Sequence, residues 1–122
     1  TKGVLEKVKA HVDDVDFAVQ PEILSLLSSG NFGRYADEKG EMKVCFISNN
    51  DITGGNSGSA MFNSKGELLG LAFDGNWEAM GSDILYEPKM QRTIGVDVRY
   101  ILFMIEKYGK AGNLIQELNI LN

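Results

Sequence analysis

Asn49-Asn50-Asp51-Ile52-Thr53-Gly54-Gly55-Asn56-Ser57-Gly58-Ser59 is a polar, glycine-rich stretch between two runs that read as strands. How it is read decides the fold. Gly54, Gly55 and Gly58 let the backbone take φ > 0 and turn sharply, which residues with a Cβ do poorly. One hydroxyl, that of Ser57, sits at the centre of the turn. A serine nucleophile needs this setting: an exposed Oγ, with backbone N–H groups converging where a carbonyl oxygen becomes an oxyanion. With Ser57 as nucleophile, the N–H groups of Gly55 and of Ser57 itself are the natural oxyanion donors. The same composition also suits a hairpin loop with no chemistry in it. The flanking residues separate the two readings.

Before the loop, Met42-Lys43-Val44-Cys45-Phe46-Ile47 reads as a strand. After it come a short apolar run, Ala60-Met61-Phe62, and a hairpin turn, Asn63-Ser64-Lys65-Gly66. Leu68-Leu69-Gly70-Leu71-Ala72-Phe73 is the return strand, a long loop runs from Asp74 to about Arg92, and Thr93-Ile94-Gly95-Val96 is a further strand. Asp97 is placed to cap a helix over Val98–Tyr108, and Gly109 to stop it. A last short helix uses Leu114, Ile115 and Leu118. Towards the other end, Val4, Leu5, Val8 and Val12 form a weak amphipathic pattern that Asp13-Asp14 interrupts. Pro21 opens a second helix with Ile23, Leu24, Leu26 and Leu27 on its apolar face. Phe32-Gly33-Arg34-Tyr35 then leads into a turn, Asp37-Glu38-Lys39-Gly40.

Composition narrows the function classes. At 122 residues with 43% hydrophobic and 24% charged content, the chain has the makings of one ordinary globular domain. A net charge of −5 argues against a nucleic-acid footprint, which needs a basic face. No apolar run approaches membrane-spanning length. Cys45 is the single cysteine and His11 the single histidine, so neither a disulfide nor a metal site is expected, and no cofactor is called for. Cys45 reads as a small buried hydrophobe, Asp51 as a turn former. The chain starts at Thr1 with no signal-peptide pattern and reads as a piece of a longer protein, so localisation is not legible from this end.

Two hydrolase geometries set a serine between glycines. The nucleophile elbow of α/β-hydrolases needs G-x-S-x-G, a helix straight after the serine and a later histidine. Here Ser59 replaces the last glycine, a hairpin follows, and no histidine lies downstream of Ser57. The chymotrypsin-type order puts His and Asp before Ser, with the serine loop leading into a hairpin. The residues after 42 suit that order.

Asn49–Ser59, Gly66-Glu67-Leu68-Leu69-Gly70, Phe73-Asp74-Gly75-Asn76-Trp77-Glu78, Gln91-Arg92-Thr93-Ile94 and Asp97-Val98-Arg99-Tyr100 together carry a family resemblance. In that order they resemble the C-terminal part of the bacterial dipeptidyl-peptidases of the 7 and 11 type, serine exopeptidases with a chymotrypsin-like double barrel and an inserted helical domain. The similarity runs from about Phe32 to the end. Ala60 stands where the pattern has Pro. The resemblance implies a mixed, mainly antiparallel β fold: the C-terminal half of the double β-barrel plus a C-terminal helix. It divides the chain into a helical lead-in, residues 1–31, and a serine-bearing second lobe, residues 32–122.

The resemblance also implies an activity, the release of dipeptides from free peptide N-termini, by a dimeric enzyme of the periplasm or cell envelope. Asp74 falls where the substrate's α-ammonium is held. Gly75 walls the pocket for the residue before the cut bond, where relatives that cut after Asp or Glu carry arginine. A glycine there predicts an uncharged pocket and hydrophobic penultimate residues. The family's catalytic histidine and aspartate belong to an upstream barrel. His11 lies only 46 residues before Ser57, in a helix-like stretch, which leaves no room for such a barrel and makes it a plain surface histidine. Asp13, Asp14 and Asp16 read as solvated or capping groups, and Trp77 as packing near the cleft. Without a base the Ser57 hydroxyl is a poor nucleophile, so the isolated chain is expected to be inactive. The missing barrel is the expected partner, and open strand edges predict a homodimer or strand-exchanged self-association. The competing expectation is a non-catalytic peptide-binding or oligomerisation domain on the same scaffold, with Ser57 vestigial.

Overall fold

The computed structural model describes residues 1–81 and 84–121. They form two compact units, residues 1–43 with 102–122 and residues 44–101. The expected boundary at 31/32 is not where these units part, because residues 32–43 supply core to the first unit: Phe32, Tyr35 and Met42 are all buried.

The first unit is helical. Helix α1, Lys2–Ala10, half-buries Val4, Leu5 and Val8 and carries Lys7 and Lys9 in its last turn, where cations suit the helix dipole. Asp14 interrupts as expected, its carboxylate accepting the Asp16 N–H to cap a 3₁₀ turn over Val15–Phe17. Helix α2, Pro21–Ser28, begins with Pro21 in the first turn, where the missing N–H costs nothing, and buries Leu27. Phe103 is the centre of this unit. Its ring meets Phe32 at 5.8 Å and Tyr35 at 6.0 Å, both edge-on, the arrangement that ring quadrupoles favour. Phe103 is only 1% exposed, burial that stabilises by about 2–3 kcal/mol. Met42, expected in a strand, is fully buried here instead, and its carbonyl accepts from the Thr1 nitrogen at 3.1 Å.

The second unit is a four-stranded, wholly antiparallel sheet of order β1-β4-β3-β2, built from β1 (Cys45–Ser48), β2 (Ala60–Phe62), β3 (Leu68–Gly75) and β4 (Thr93–Asp97). Residues paired across strands share a face. Phe46 stands opposite Gly95 and Met61 opposite Gly70. The Phe46 ring lies over both glycines. A Cβ on Gly95 would meet that ring at 2.7 Å and one on Gly70 at 2.8 Å, so only glycine leaves room for it. The next residue along β1, Cys45, therefore falls on the other face and is exposed, not buried as its apolar neighbours suggested. Asn63 closes the β2–β3 hairpin through its side chain, accepting the Lys65 and Glu67 N–H groups.

Helix α3, Val98–Phe103, is capped as expected: the buried Asp97 carboxylate accepts the Arg99 N–H at 2.9 Å and pairs with the Arg99 guanidinium through both oxygens. The expected single helix to Tyr108 instead widens to a π-helix over Met104–Tyr108. Gly109 does not take the left-handed stop either. Its φ is −72°, and Lys110 adopts the positive φ of 53°. The Ala111 N–H then reaches back to the Ile105 carbonyl at 3.0 Å, closing the helix end as a Schellman-type cap does. Gly109 is needed for space, since a Cβ there would sit 2.9 Å from the Ile105 oxygen. Helix α4, Gly112–Gln116, buries Ile115 and leaves Leu114 about half exposed; it ends before Leu118, which was expected in it and is also half exposed. None of the described helices is long and apolar enough to cross a membrane.

Candidate active site

Two interlocked turns shape the loop around Ser57. The Asn56 N–H donates to the Thr53 carbonyl, and the Ser59 N–H to the Asn56 carbonyl. The third position of each turn is a glycine with positive φ, Gly55 at 93° and Gly58 at 87°, the sign a type II turn requires there. The Asn56 side chain locks the first turn by accepting from the Thr53 N–H at 3.0 Å and its hydroxyl at 3.3 Å. The second is stitched to β3, Gly58 N–H to the Ala72 carbonyl and Ala72 N–H to the Ser59 carbonyl. Ser57 is thereby held exposed at the outer corner of a rigid loop. Among the described residues none accepts a hydrogen bond from the Gly55 or Ser57 N–H, so both donors remain available to a bound group.

Beside that loop lies a cleft of about 250 Å³. Ser57, Asp74 and Gly75 all line it, together with apolar Ile52, Phe73 and Met80. Gly55 stands one residue behind the lining Gly54. A β-bulge explains how Asp74 arrives there. Ala72 pairs with Gly95 and Asp74 with Ile94, so Phe73 is the extra residue, and the strand is re-aimed at its end. The Asp74 carboxylate accepts the Gly75 N–H at 2.8 Å, and among the described residues no lysine or arginine pairs with it. Gly75 opens the cleft by lacking a side chain: a Cβ there would lie 3.5 Å from Ile52 Cγ2 and 2.8 Å from Ala79 Cβ.

The other residues singled out fall elsewhere. His11 follows α1 in the helical unit, its ring stacked on Phe17 at 4.3 Å, next to an open hollow along Ala10–Val15. Trp77 was expected to pack near the cleft. It starts a 3₁₀ helix over Trp77–Gly81 and is 81% exposed, while Ala79 and Met80 of the same turn face the cleft in its place. Among the described residues no group of three or more His, Cys, Asp or Glu side chains could hold a metal ion. Asn76, Ala79 and Met80 were beyond sequence reasoning, because the stretch after Asp74 shows no period and is placed by long-range hydrogen bonds.

Residues 1–120 match the peptidase S46 family. The chain is 59% identical over 120 residues to dipeptidyl-peptidase 7 of Porphyromonas gingivalis, which covers 98% of this chain and 16% of that protein. It is 47% identical over 118 residues to the Asp/Glu-specific dipeptidyl-peptidase of the same organism, covering 97% and 16%. It superposes with a TM-score of 0.88, at 44% identity, on Porphyromonas endodontalis DPP11 crystallised with the dipeptide Arg-Glu, over 95% of this chain and 16% of that one. The chain thus spans about one sixth of the length of these relatives. With the family match running nearly end to end, the chain belongs to the peptidase S46 family.

Proposed function

We propose that the protein carrying this chain is a serine-type dipeptidyl aminopeptidase that releases dipeptides from peptide N-termini and prefers a hydrophobic penultimate residue. The observation that carries this reading is the meeting of Ser57, Asp74 and Gly75 in one small cleft with Ile52, Phe73 and Met80 in its lining. Ser57 Oγ attacks the carbonyl of the second substrate residue. The Gly55 and Ser57 N–H groups receive the developing oxyanion, a role worth several kcal/mol in such sites. Asp74, with no cation of its own among the described residues, pairs with the substrate's α-ammonium and so counts two residues from the free end. The second side chain enters the cleft past Gly75. An acidic one would be desolvated there without a partner, whereas an apolar one gains by leaving water. The histidine and aspartate that activate Ser57 come from outside this chain, from the first barrel of a chymotrypsin-like pair to whose second lobe this chain belongs. The isolated chain is accordingly inactive, and the whole enzyme is a self-associating protein of the cell envelope.

Kinetics on fluorogenic dipeptide amides with the full-length protein test this. Ser57→Ala lowers kcat by at least about a thousandfold. Asp74→Asn lowers kcat/KM by about tenfold to a hundredfold, the worth of one hydrogen bond to a charged group. Full activity in Ser57→Ala would place the nucleophile elsewhere, and a full-length protein with no turnover of its own would leave the non-catalytic, peptide-binding reading instead.

A further inference from the structure

We infer that the segment 85–93 is the frame that positions both walls of the substrate cleft, with Thr93 and Tyr86 as positioning residues. This rests on the cleft being the substrate site proposed above. The segment is tied up within itself by polar side chains, Gln91 buried and Arg92 half-buried. Gln91 is 5% exposed, donates to the Leu85 carbonyl at 3.0 Å and accepts the Glu87 N–H at 2.9 Å. The Arg92 guanidinium binds the carbonyls of Pro88, Lys89 and Gln91. From this knot two sets of bonds run outward. On one side the Thr93 hydroxyl, 2% exposed, donates to the Asn50 carbonyl at 2.7 Å, and the Tyr86 hydroxyl donates to the Asn49 carbonyl. These hold the stretch that leads into Ile52. On the other side Asn76 exchanges backbone and side-chain bonds with Arg92, at 2.9 and 2.8 Å, and its amide donates to the Met90 carbonyl. That holds the turn bearing Ala79 and Met80.

Apolar packing does not do this work in the chain as it stands. Met80, Leu85 and Met90 are 75%, 72% and 59% exposed. The placement of the walls therefore hangs on the polar ties. Ile52, which Thr93 and Tyr86 hold in place through its neighbours, is a wall that a large substrate side chain touches and a small one does not reach.

The experiment compares kcat/KM for dipeptide amides with Leu or Ala as the second residue, in the full-length protein. Thr93→Val keeps the shape and removes the hydroxyl; Thr93→Ser restores it. Thr93→Val should lower the Leu-to-Ala ratio by about tenfold, as misplacement of a substrate-contacting wall does, while Thr93→Ser keeps the parent ratio. Tyr86→Phe, at a half-buried position, should move the ratio the same way and serves if Thr93→Val fails to fold. An unmoved ratio, an equal loss on both substrates, or a serine variant that behaves like valine overturns the inference. Ser57→Ala is measured alongside. If it is dead and the ratio is unmoved, only the frame is wrong; if it still turns over, the site itself is wrong and the frame falls with it.

Discussion

At the scale of single residues, Gly75 sets what the proposed site can hold. Its missing side chain leaves this wall of the cleft without a charge, bounded by Ile52 and Ala79. Arginine at this position should turn the enzyme toward Asp and Glu, by pairing a charge that the present wall leaves alone. The structure adds a cost to that change. A Cβ at residue 75 would come within 2.8 Å of Ala79 Cβ, closer than carbon atoms pack, so the 3₁₀ helix must give way. The expected outcome for Gly75→Arg in the full-length protein is a fall of the Leu-to-Asp ratio of kcat/KM by at least about tenfold, with some loss of total activity. A ratio unmoved by the arginine would show that another residue sets the pocket.

At the scale of elements, the sheet is built around a ring laid over two glycines. Gly70 and Gly95 are diagonal neighbours on one face of β3 and β4, and Phe46 covers both from β1. A Cβ on Gly95 would meet Phe46 at 2.7 Å and the Met61 sulfur at 2.8 Å, both movable side chains. One on Gly70 would meet the Val96 backbone oxygen at 2.0 Å, which cannot yield without shifting a strand. Gly95→Ala should therefore destabilise by about 1–3 kcal/mol, the usual cost of overpacking, and Gly70→Ala by more. Urea denaturation midpoints of the two variants check the order. Phe46→Leu should recover part of the Gly95→Ala loss and little of the Gly70→Ala loss, because a Cβ on Gly70, which also meets the ring, is blocked first by the Val96 backbone oxygen.

At the scale of the whole molecule, pH reaches stability through the helical unit. Burial, then the hydrogen bond to Glu106, pushes the Tyr35 hydroxyl up to about 12. Lys107 first and Tyr35 second hold the Glu106 carboxyl below its ordinary value. A group whose folded pKa is raised contributes stability that is complete below its unfolded pKa, near 10 for tyrosine, and lost as pH climbs through the folded value. Stability should thus decline from about pH 10 toward 12. For the lowered Glu106 the sign reverses: its contribution is present above the ordinary carboxylate range and fades as the pH falls through its folded value. On the same acid side Lys2 and Lys43 hold Glu41 down to about 2, so that its share fades between the ordinary carboxylate range and that value. Tyr35→Phe should cost about 1.5–3 kcal/mol at neutral pH, the range for a hydrogen bond to a charged group, and flatten the alkaline limb. Thermal melts of both proteins from pH 7 to 11 read this directly. An unchanged alkaline limb in Tyr35→Phe would place that titration elsewhere.

The sequence by itself determined whatever closes within a few residues. Pro21 opening α2, Asn63–Gly66 turning the hairpin, Asp97 capping α3 and the glycine turns around Ser57 are local arrangements of sterics and short-range hydrogen bonds, and each stands where its residues pointed. Ser57 could be named from its glycine turn, and Asp74 and Gly75 from the family resemblance of the contiguous motif that carries them. That they share one cleft is a tertiary fact, since it needs the bulge at Phe73 and the pairing of β3 with β4. The same holds for Met42 leaving its strand for the helical core, for Cys45 facing outward, and for Lys110 rather than Gly109 taking the left-handed turn. The frame over 85–93 lies furthest from what a sequence pattern can show. Its bond from Thr93 to Asn50 spans 43 residues, and nothing in the periodicity of either stretch encodes a partner that distant. Local preference fixes a turn or a cap; which strand edge a carbonyl meets is decided only when the chain has folded back on itself.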